Sequence, residues 1–414
     1  MKRNADGRKA DGKEKKRFRR RDPARALLSA VMVFFFLAFL LLALKDGSWE
    51  CVLLALAVPA LIFVGTAGIP KLFPADKLLL SLTNFLCALG VLVLYRLSPE
   101  RGLTQAVNYG VGVAAMLVCI LLVRYIKDWK WLSLLMMAGS FLMLALPLLI
   151  GEKRNGARNW ISVGGYSMQP SELVKLALLL SISYWLARRK VVFSVAFVGG
   201  CLLLLMLQED LGTALLYYGV TLVLLYAATG SLPLMGYQMF AHVKRRVAIW
   251  INPWADMDGS GYQIVQSLIA IVNGGAWGVG LGLGNASVIP EYYNDFIFSV
   301  ILHEFGMIFG LIVVCMYLFI TIRGVMIARR SRTAFHALLA TGCAALIALQ
   351  AFVIIGGNIK LIPLTGVTLP FISYGGTSMV SSLCVIGLLQ GVASCNEAGV
   401  HADRALAMQG GDLK

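Results

Sequence analysis

Residues 26–44 read ALLSAVMVFFFLAFLLLAL, nineteen positions without a charged side chain. As an α-helix they rise about 28 Å, close to the ~30 Å hydrocarbon thickness of a bilayer. A lipid-facing β-strand would alternate apolar and polar positions instead. Comparable runs recur at about 50–69, 77–96, 106–126, 131–150, 171–187, 191–207, 210–229, 296–322, 334–357 and 371–394. Inside lipid, backbone N–H and C=O groups must be paired within the segment, so each run is expected to be helical. The expected fold class is an all-α polytopic membrane protein, with about 11–12 transmembrane helices and a long extracytoplasmic loop.

Composition agrees. The 414 residues are 59% hydrophobic and 14% charged, against about 25% charged in soluble domains, and mean hydropathy is +0.78. The net charge of +16 is uneven: residues 1–25 hold twelve Lys/Arg against four Asp/Glu. Beside a membrane helix, such an arm reads as a cytosolic anchor for anionic membrane lipids, and no nucleic acid is expected as a partner. Further spans follow and no small-residue cleavage site intervenes, which excludes a signal peptide. The eight cysteines form no CxxC pair and the four histidines are scattered, so neither a disulfide framework nor a zinc site is expected.

Loop cations orient the spans. With the basic tail inside, the inner loops carry Lys71 and Lys77, then Arg124, Lys127 and Lys130, then Arg188, Arg189 and Lys190, and later Arg323, Arg329, Arg330 and Arg332. Run 296–322 then descends from outside, which puts Asp295 at the outer surface. Eight spans precede position 230, so one further crossing is needed before 295. The segment available, GSLPLMGYQMFAHV at 230–243, rises only about 21 Å as a helix.

Four polar stretches fall on the outer side. In NGARNWISVGGYSMQPSELVKLALLL (155–180), Ser171 is placed to cap a helix on which Glu172 and Lys175, three apart, share a face. Lys153, Arg154 and Arg158 crowd the same mouth and suit a phosphate-bearing headgroup. Asp210 opens the run DLGTALLYYG, where a helix cap and a functional acid are equally good readings. The long loop 252–306 contains an amphipathic stretch at 262–272 and glycines at 274, 275, 278, 280, 282 and 284. These glycines follow no strand and form no GxGxxG, which excludes a dinucleotide fold. Asp295 ends this loop, as an N-cap or as a general base at the lipid–water boundary. Glu304 lies nine residues deeper, where a charge needs a partner. Finally, Pro363, Gly366, Pro370, Gly375 and Gly376 break a helix within 358–378, and irregular backbone at membrane depth implies a wet or protein-lined cavity.

Together these stretches resemble the SEDS family (shape, elongation, division and sporulation), which includes FtsW, RodA and SpoVE. The matching residues are GAR-NW at 156–160, QPSELVK at 169–175, DLGT at 210–213, GSGYQIVQSLIAI at 259–271, PE…NDFIF at 290–298 and PLTGVTLPFISYGGTS at 363–378. The resemblance covers about 77–394. It divides the chain into a basic cytosolic tail (1–25), a two-helix extension (26–69) like that of some RodA-like members, a core (70–396) with its outer loop 252–295, and a cytosolic tail (397–414).

The resemblance implies a peptidoglycan glycosyltransferase that polymerises lipid II at the outer face of the bacterial cytoplasmic membrane, with both termini cytosolic. It maps the family's essential aspartate onto Asp295. The substrate-binding candidates are Arg158, Glu172, Lys175, Asp210, Gln266, Glu304, Ser373 and Tyr374. Arg158 and Lys175, with Lys244, Arg245 or Arg246, are the cations expected at a pyrophosphate leaving group, where a divalent cation (Mg or Mn) would also serve. Implied partners are a class B penicillin-binding protein and proteins of division or elongation complexes. A lipid-linked precursor flippase or transporter is the alternative function.

The sequence departs from the family pattern in places. GARRW reads GARNW, so Asn159 removes a cation, and the usual Glu-Glu pair reads His303-Glu304. The family's helix before the KRR stretch is curtailed to about 230–243, where the span count also failed. The expectation is a deletion in that helix and impaired activity.

Overall fold

The computed structural model describes residues 23–154, 157–163, 166–230, 241–256, 261–285 and 289–411. Two helices come first, α1 (Pro23–Asp46) and α2 (Trp49–Leu72). Then follow α3 (Lys77–Leu97), α4 (Pro99–Tyr125) and α5 (Lys130–Ile150). After a small sheet come α6 (Pro170–Ala187), α7 (Val191–Leu207), α8 (Leu211–Thr229) and α9 (Ala241–Ile251). The chain ends with α10 (Tyr262–Gly274), α11 (Ile297–Arg329), α12 (Ala334–Asn358) and α13 (Gly376–Gly411).

The chain is an all-α integral membrane protein. Among the described residues nine helices are long and apolar enough to cross a membrane. Of the remaining expected spans, α6 has 18 residues and carries Glu172 and Lys175, and α7 has 17. Helix α3 shows how the boundaries arise. Asp76 caps it by accepting from the Leu79 amide at 3.0 Å, and it stops at Ser98 because Pro99 opens α4 at a position whose missing N–H costs nothing. Consequently α4 begins seven residues before the apolar run at 106.

Helices α3, α12 and α13 are mostly enclosed, whereas α1, α5 and α11 turn most of their surface outward. With lipid outside, close packing replaces hydrophobic burial as the force between helices. Helix α13 lies tightly along α4: a Cβ at Gly387 would stand 2.6 Å from the Met116 carbonyl oxygen. Helix α2 joins the core through a buried polar chain. Tyr109 Oη donates to Asn84 Oδ1 at 2.7 Å, and Asn84 Nδ2 donates to Thr66 Oγ1 at 2.9 Å.

Residues 151–170, expected as a loop, hold a three-stranded antiparallel sheet of β1 (Glu152–Arg154), β2 (Ala157–Val163) and β3 (Tyr166–Met168). Val163 pairs with Tyr166 across Gly164-Gly165, the spacing of a two-residue hairpin. Trp160 and Ile161 are adjacent apolar residues, so β2 does not carry the period-2 pattern of a half-buried strand.

At one end of the bundle lie the sheet, α10 and the start of α11. At the other, the expected inner-loop cations gather: Arg323 of α11 pairs with Asp76, and Arg124 Nη1 donates to Ser394 at 2.7 Å. Helix α8 starts at the sheet end and, with 19 residues, reaches about 28 Å away. By Arg246 in α9 the chain is back beside the sheet end. The curtailed crossing expected at 230–243 falls largely on 231–240, which lie outside the described residues.

The Asp76 cluster is the principal polar tie at the far end. Gln390 accepts from the Asp76 amide at 2.8 Å and donates to its carbonyl at 3.0 Å. Removing the guanidinium should leave the buried Asp76 carboxylate short of a partner and cost about 1–3 kcal/mol. Arg323→Met is therefore expected to lower the thermal unfolding midpoint in detergent. An unchanged midpoint would show that this cluster does not hold α3, α11 and α13 together.

Candidate functional site

A cavity of about 360 Å³ opens at the sheet end, walled by β2, α6, α8, α9, α10, α12 and the irregular chain at 364–374. It reaches Leu346, twelve residues below the end of α12, a depth of about 18 Å. The irregular chain at 364–368, between Pro363 and Pro370, thus lines a cavity, as irregular backbone at this depth requires.

Asp295 lies at the turn into α11. Its backbone is fixed: Asn358 Nδ2 donates to its carbonyl at 2.6 Å, and its amide donates to the Glu291 carbonyl at 3.2 Å. Phe296, not Asp295, is the N-cap residue, so the carboxylate is not spent on capping and faces the cavity. Gly366, at φ +73°, passes directly beside it; a Cβ there would sit 3.6 Å from Asp295 Oδ2. Surrounding protein strips the carboxylate of water and pushes its pKa up to about 7. The Glu291 carboxylate adds to the rise and the Arg246 guanidinium opposes it. Arg246 is aimed by its bond to the Thr365 carbonyl at 2.8 Å.

Glu172 and Lys175 form an ion pair at the cavity wall, and Ser381 of α13 donates to the same Glu172 oxygen. Lys175 also reaches Gln350 Oε1 at 3.5 Å. The cap expected from Ser171 is not made: Gln169 holds the N-cap position, Pro170 takes the first helical position, and the Ser171 hydroxyl is buried without a partner. Pro170 has no N–H to offer, so the start shifts one residue earlier. Gln169 Nε2 instead donates to Asp210 Oδ2 at 3.0 Å, joined by Asn159 Nδ2 at 2.8 Å. Asp210 also caps α8 through the Thr213 amide at 3.1 Å. The cap reading of Asp210 is thus met while its side chain also lines the cavity, and Asn159, which removes a cation from the motif, supplies an amide that holds this acid.

Tyr374 lines the cavity rim, with its amide on the Tyr293 carbonyl at 2.9 Å. Arg101 stacks over the Tyr293 ring at 3.6 Å.

The structure thus brings Asp295, Glu172, Lys175, Asp210 and Tyr374 to one cavity, and leaves four candidates off its walls. Arg158 is exposed on β2, where its amide pairs with the Gln208 carbonyl at 2.9 Å. Gln266 does not line the cavity, although it lies one turn on from Gln263, which does. Ser373 is buried in a loop bond to the Asn294 carbonyl at 2.7 Å. Glu304 is fully buried against Arg96 at 3.0 Å. Lys153, Arg154, Lys244 and Arg245 have side chains outside the described residues.

Sequence reasoning missed Gln350, Gln263, Glu291 and Asn358. Glu291 was visible in the matching Pro-Glu pair. Gln350 was signalled only by being an uncharged amide in the middle of an apolar run.

The profile of the cell cycle proteins FtsW, RodA and SpoVE matches residues 75–398. The chain belongs to this family. It is 34% identical to stage V sporulation protein E of Bacillus subtilis over 355 residues, spanning 77% of this chain and 96% of that one. It is 32% identical to the peptidoglycan glycosyltransferase RodA of Mycobacterium tuberculosis strain H37Rv, over 89% of this chain and 90% of that protein. A chain from a solved peptidoglycan synthase complex, described as coordinating polymerization and crosslinking, superposes with TM-score 0.65 at 26% identity, covering 78% of this chain and 98% of that one.

A reaction that needs Asp295 ionised loses its base as pH falls through about 7, so its rate should show an acid limb there. Glu291→Gln removes a repulsion and should move the limb to lower pH; Arg246→Met removes an attraction and should move it higher. Rate–pH profiles of the three proteins measure both shifts. A limb that stays in place in both variants would mean that another group titrates.

Proposed function

We propose that the chain polymerises lipid II into glycan strands, with Asp295 as the general base. Peptidoglycan glycosyltransferase is the activity that its curated family relatives carry in their names, and it is the activity of this chain. The observation that carries the finer reading is Asp295 itself. It is a cavity-facing carboxylate, fixed through its backbone, uncommitted to capping, and poised near pH 7.

In the reaction, the hydroxyl of the acceptor sugar attacks the anomeric carbon of the donor. The carboxylate takes the hydroxyl proton as the C–O bond forms, and the bond to the lipid pyrophosphate breaks with its electron pair. One displacement inverts the anomeric centre. The growing charge on the leaving group needs cations. Among the described residues, Arg246 and Lys175 are the two that line the cavity, against the carboxyl groups of Glu172, Glu209, Asp210, Glu291 and Asp295. Arg158, exposed on β2, does not stand among them.

Those five carboxyl groups are spread around the wall. Among the described residues no three acidic, histidine or cysteine side chains gather as metal ligands, so the donor set does not fit a protein-held divalent ion, and no step is assigned to one. Whether Mg or Mn accompanies the pyrophosphate is measured by chelation and add-back in a polymerisation assay.

The loop cations at the far end favour the cytosol there, which supports a cavity at the outer face of the cytoplasmic membrane with both termini cytosolic. Glycan made at that face needs crosslinking, and the superposed synthase-complex chain supports a class B penicillin-binding protein as partner, within division or elongation machinery. The flippase reading is less favoured, because the α12 residues that line the cavity stop at Leu346, about halfway along that helix, and α3, α12 and α13 form an enclosed core.

Purified protein should make glycan from lipid II, and Asp295→Asn should slow this by at least about 100-fold with an unchanged unfolding midpoint. Full activity in that variant would remove Asp295 as the base, and headgroup translocation without polymer would favour the flippase. Wild-type rates comparable to those of family members would refute the impairment expected from the short 230–243 segment.

A further inference from the structure

The two-helix extension lies outside the family match and contributes nothing to the cavity wall. It nevertheless reaches the helix that follows Asp295. In the last turn of α1, Lys45 Nζ donates to the Gly282 carbonyl at 2.9 Å. The start of α2 is tied to the end of α3 through Ser48 Oγ and Tyr95 Oη at 2.9 Å, and Tyr95 donates on to Glu50 at 3.4 Å. The next residue, Arg96, donates through Nη2 to the Gly284 carbonyl and pairs through Nε with Glu304 Oε1 at 3.0 Å. The other Glu304 oxygen accepts from the Gly282 amide at 3.4 Å. The turn at 280–284 is therefore gripped by a cation from the extension, a cation from α3 and a carboxylate from α11.

The opposite side of this turn is plugged into a break in α11. Gly306 takes φ +83°, ψ 170°, and interrupts the helix. The Val279 and Gly280 amides bond the His303 and Glu304 carbonyls at 3.0 Å each. The Met307 and Ile308 amides bond the Gly275 and Ala276 carbonyls at 3.0 and 3.2 Å. These four bonds satisfy the groups that the break would leave bare in lipid. Residues 297–305 thus form a separate half-helix, beginning two residues after Asp295, and its tilt is set by the turn. Tilting it by about 5° over its roughly 13 Å length moves its far end by about 1 Å, and a 1 Å misplacement can cost on the order of 100-fold in rate.

We propose that Lys45 and Arg96 are positioning residues for glycosyl transfer: acting through the turn at 279–284, they hold the half-helix that aims Asp295. This makes the extension a working part of the enzyme rather than an added anchor. It rests on the glycosyltransferase reading above.

The test uses the full chain in detergent with lipid II. Three variants, Lys45→Met, Arg96→Met and Arg96→Lys, are compared with wild type for kcat, KM, unfolding midpoint and amide hydrogen exchange over 295–305. Lys45 is exposed at its contact, so its loss should leave the midpoint unchanged while kcat falls several-fold at constant KM. Arg96→Met should lower kcat by on the order of 10-fold or more and speed exchange across 297–305. Arg96→Lys should recover part of both losses. The proposal is overturned if both Met variants keep wild-type kcat, or if kcat falls only in step with the midpoint, or if KM alone changes. If wild type makes no glycan, the glycosyltransferase reading fails separately, and hydrogen exchange then decides the latch: unchanged exchange in Arg96→Met overturns it.

Discussion

The amide of Asn358 joins the pieces of this site. It sits fully buried at the end of α12, donating to the carbonyls of Asp295 and Ile354 and accepting through Oδ1 from the Ser299 amide and hydroxyl. Ser267 of α10 bonds Ser299 at 2.7 Å and completes the junction of three elements. At membrane depth each of these groups would otherwise be bare, and leaving one unsatisfied costs several kcal/mol. The start of α11 cannot shift without breaking several bonds together. The backbone of Asp295 inherits that rigidity, and its carboxylate, not used as the helix cap, lines the cavity.

A carboxylate kept rigid and partly dry is a stronger base than one in water. The same surroundings must still supply cations for a departing pyrophosphate, and the cavity separates the two demands. Lys175 is neutralised in the wall by Glu172, while Asp210 is satisfied by the uncharged amides of Asn159 and Gln169. Among the described residues, Arg246 bonds the carbonyls of Leu364 and Thr365. Its charge therefore acts on Asp295 and on whatever enters, whereas the charge of Lys175 is largely cancelled at short range.

The spans were legible because nothing but a membrane tolerates so many uncharged runs, and the loop cations sorted their ends. Boundaries were less so. Helix α4 opens with the polar turn Pro99–Thr104, which hydropathy reads as loop, and the short sheet at 152–168 carries no period-2 alternation, since Trp160 and Ile161 adjoin. Acids next to apolar runs stood out as needing partners, which is why Asp295, Asp210 and the Glu172–Lys175 pair could be picked out. Glu304 stood out for the same reason and was given to the cavity, yet its partner proved to be Arg96, over two hundred residues earlier. Charge reveals that a partner is needed; only packing reveals which one. For the same reason Gln266 and Ser373 were placed in the cavity from their motifs, although neither lines it and Ser373 is held by a loop bond.

The break at Gly306 shows why the glycine-rich loop carries so many glycines. A Cβ on Gly278 would stand 2.2 Å from the Glu304 carbonyl oxygen, and one on Gly306 would stand 2.4 Å from that of Ala276. The two chains exchange backbone bonds at a separation that no side chain permits. A straight helix through 297–329 would satisfy itself and need no turn, but it would fix Asp295 rigidly to the whole membrane span. Breaking the helix frees its first nine residues from that span and hands their placement to the turn, and through the turn to Arg96 and Lys45. The catalytic segment is thereby coupled to the two-helix extension, which lies outside the family profile.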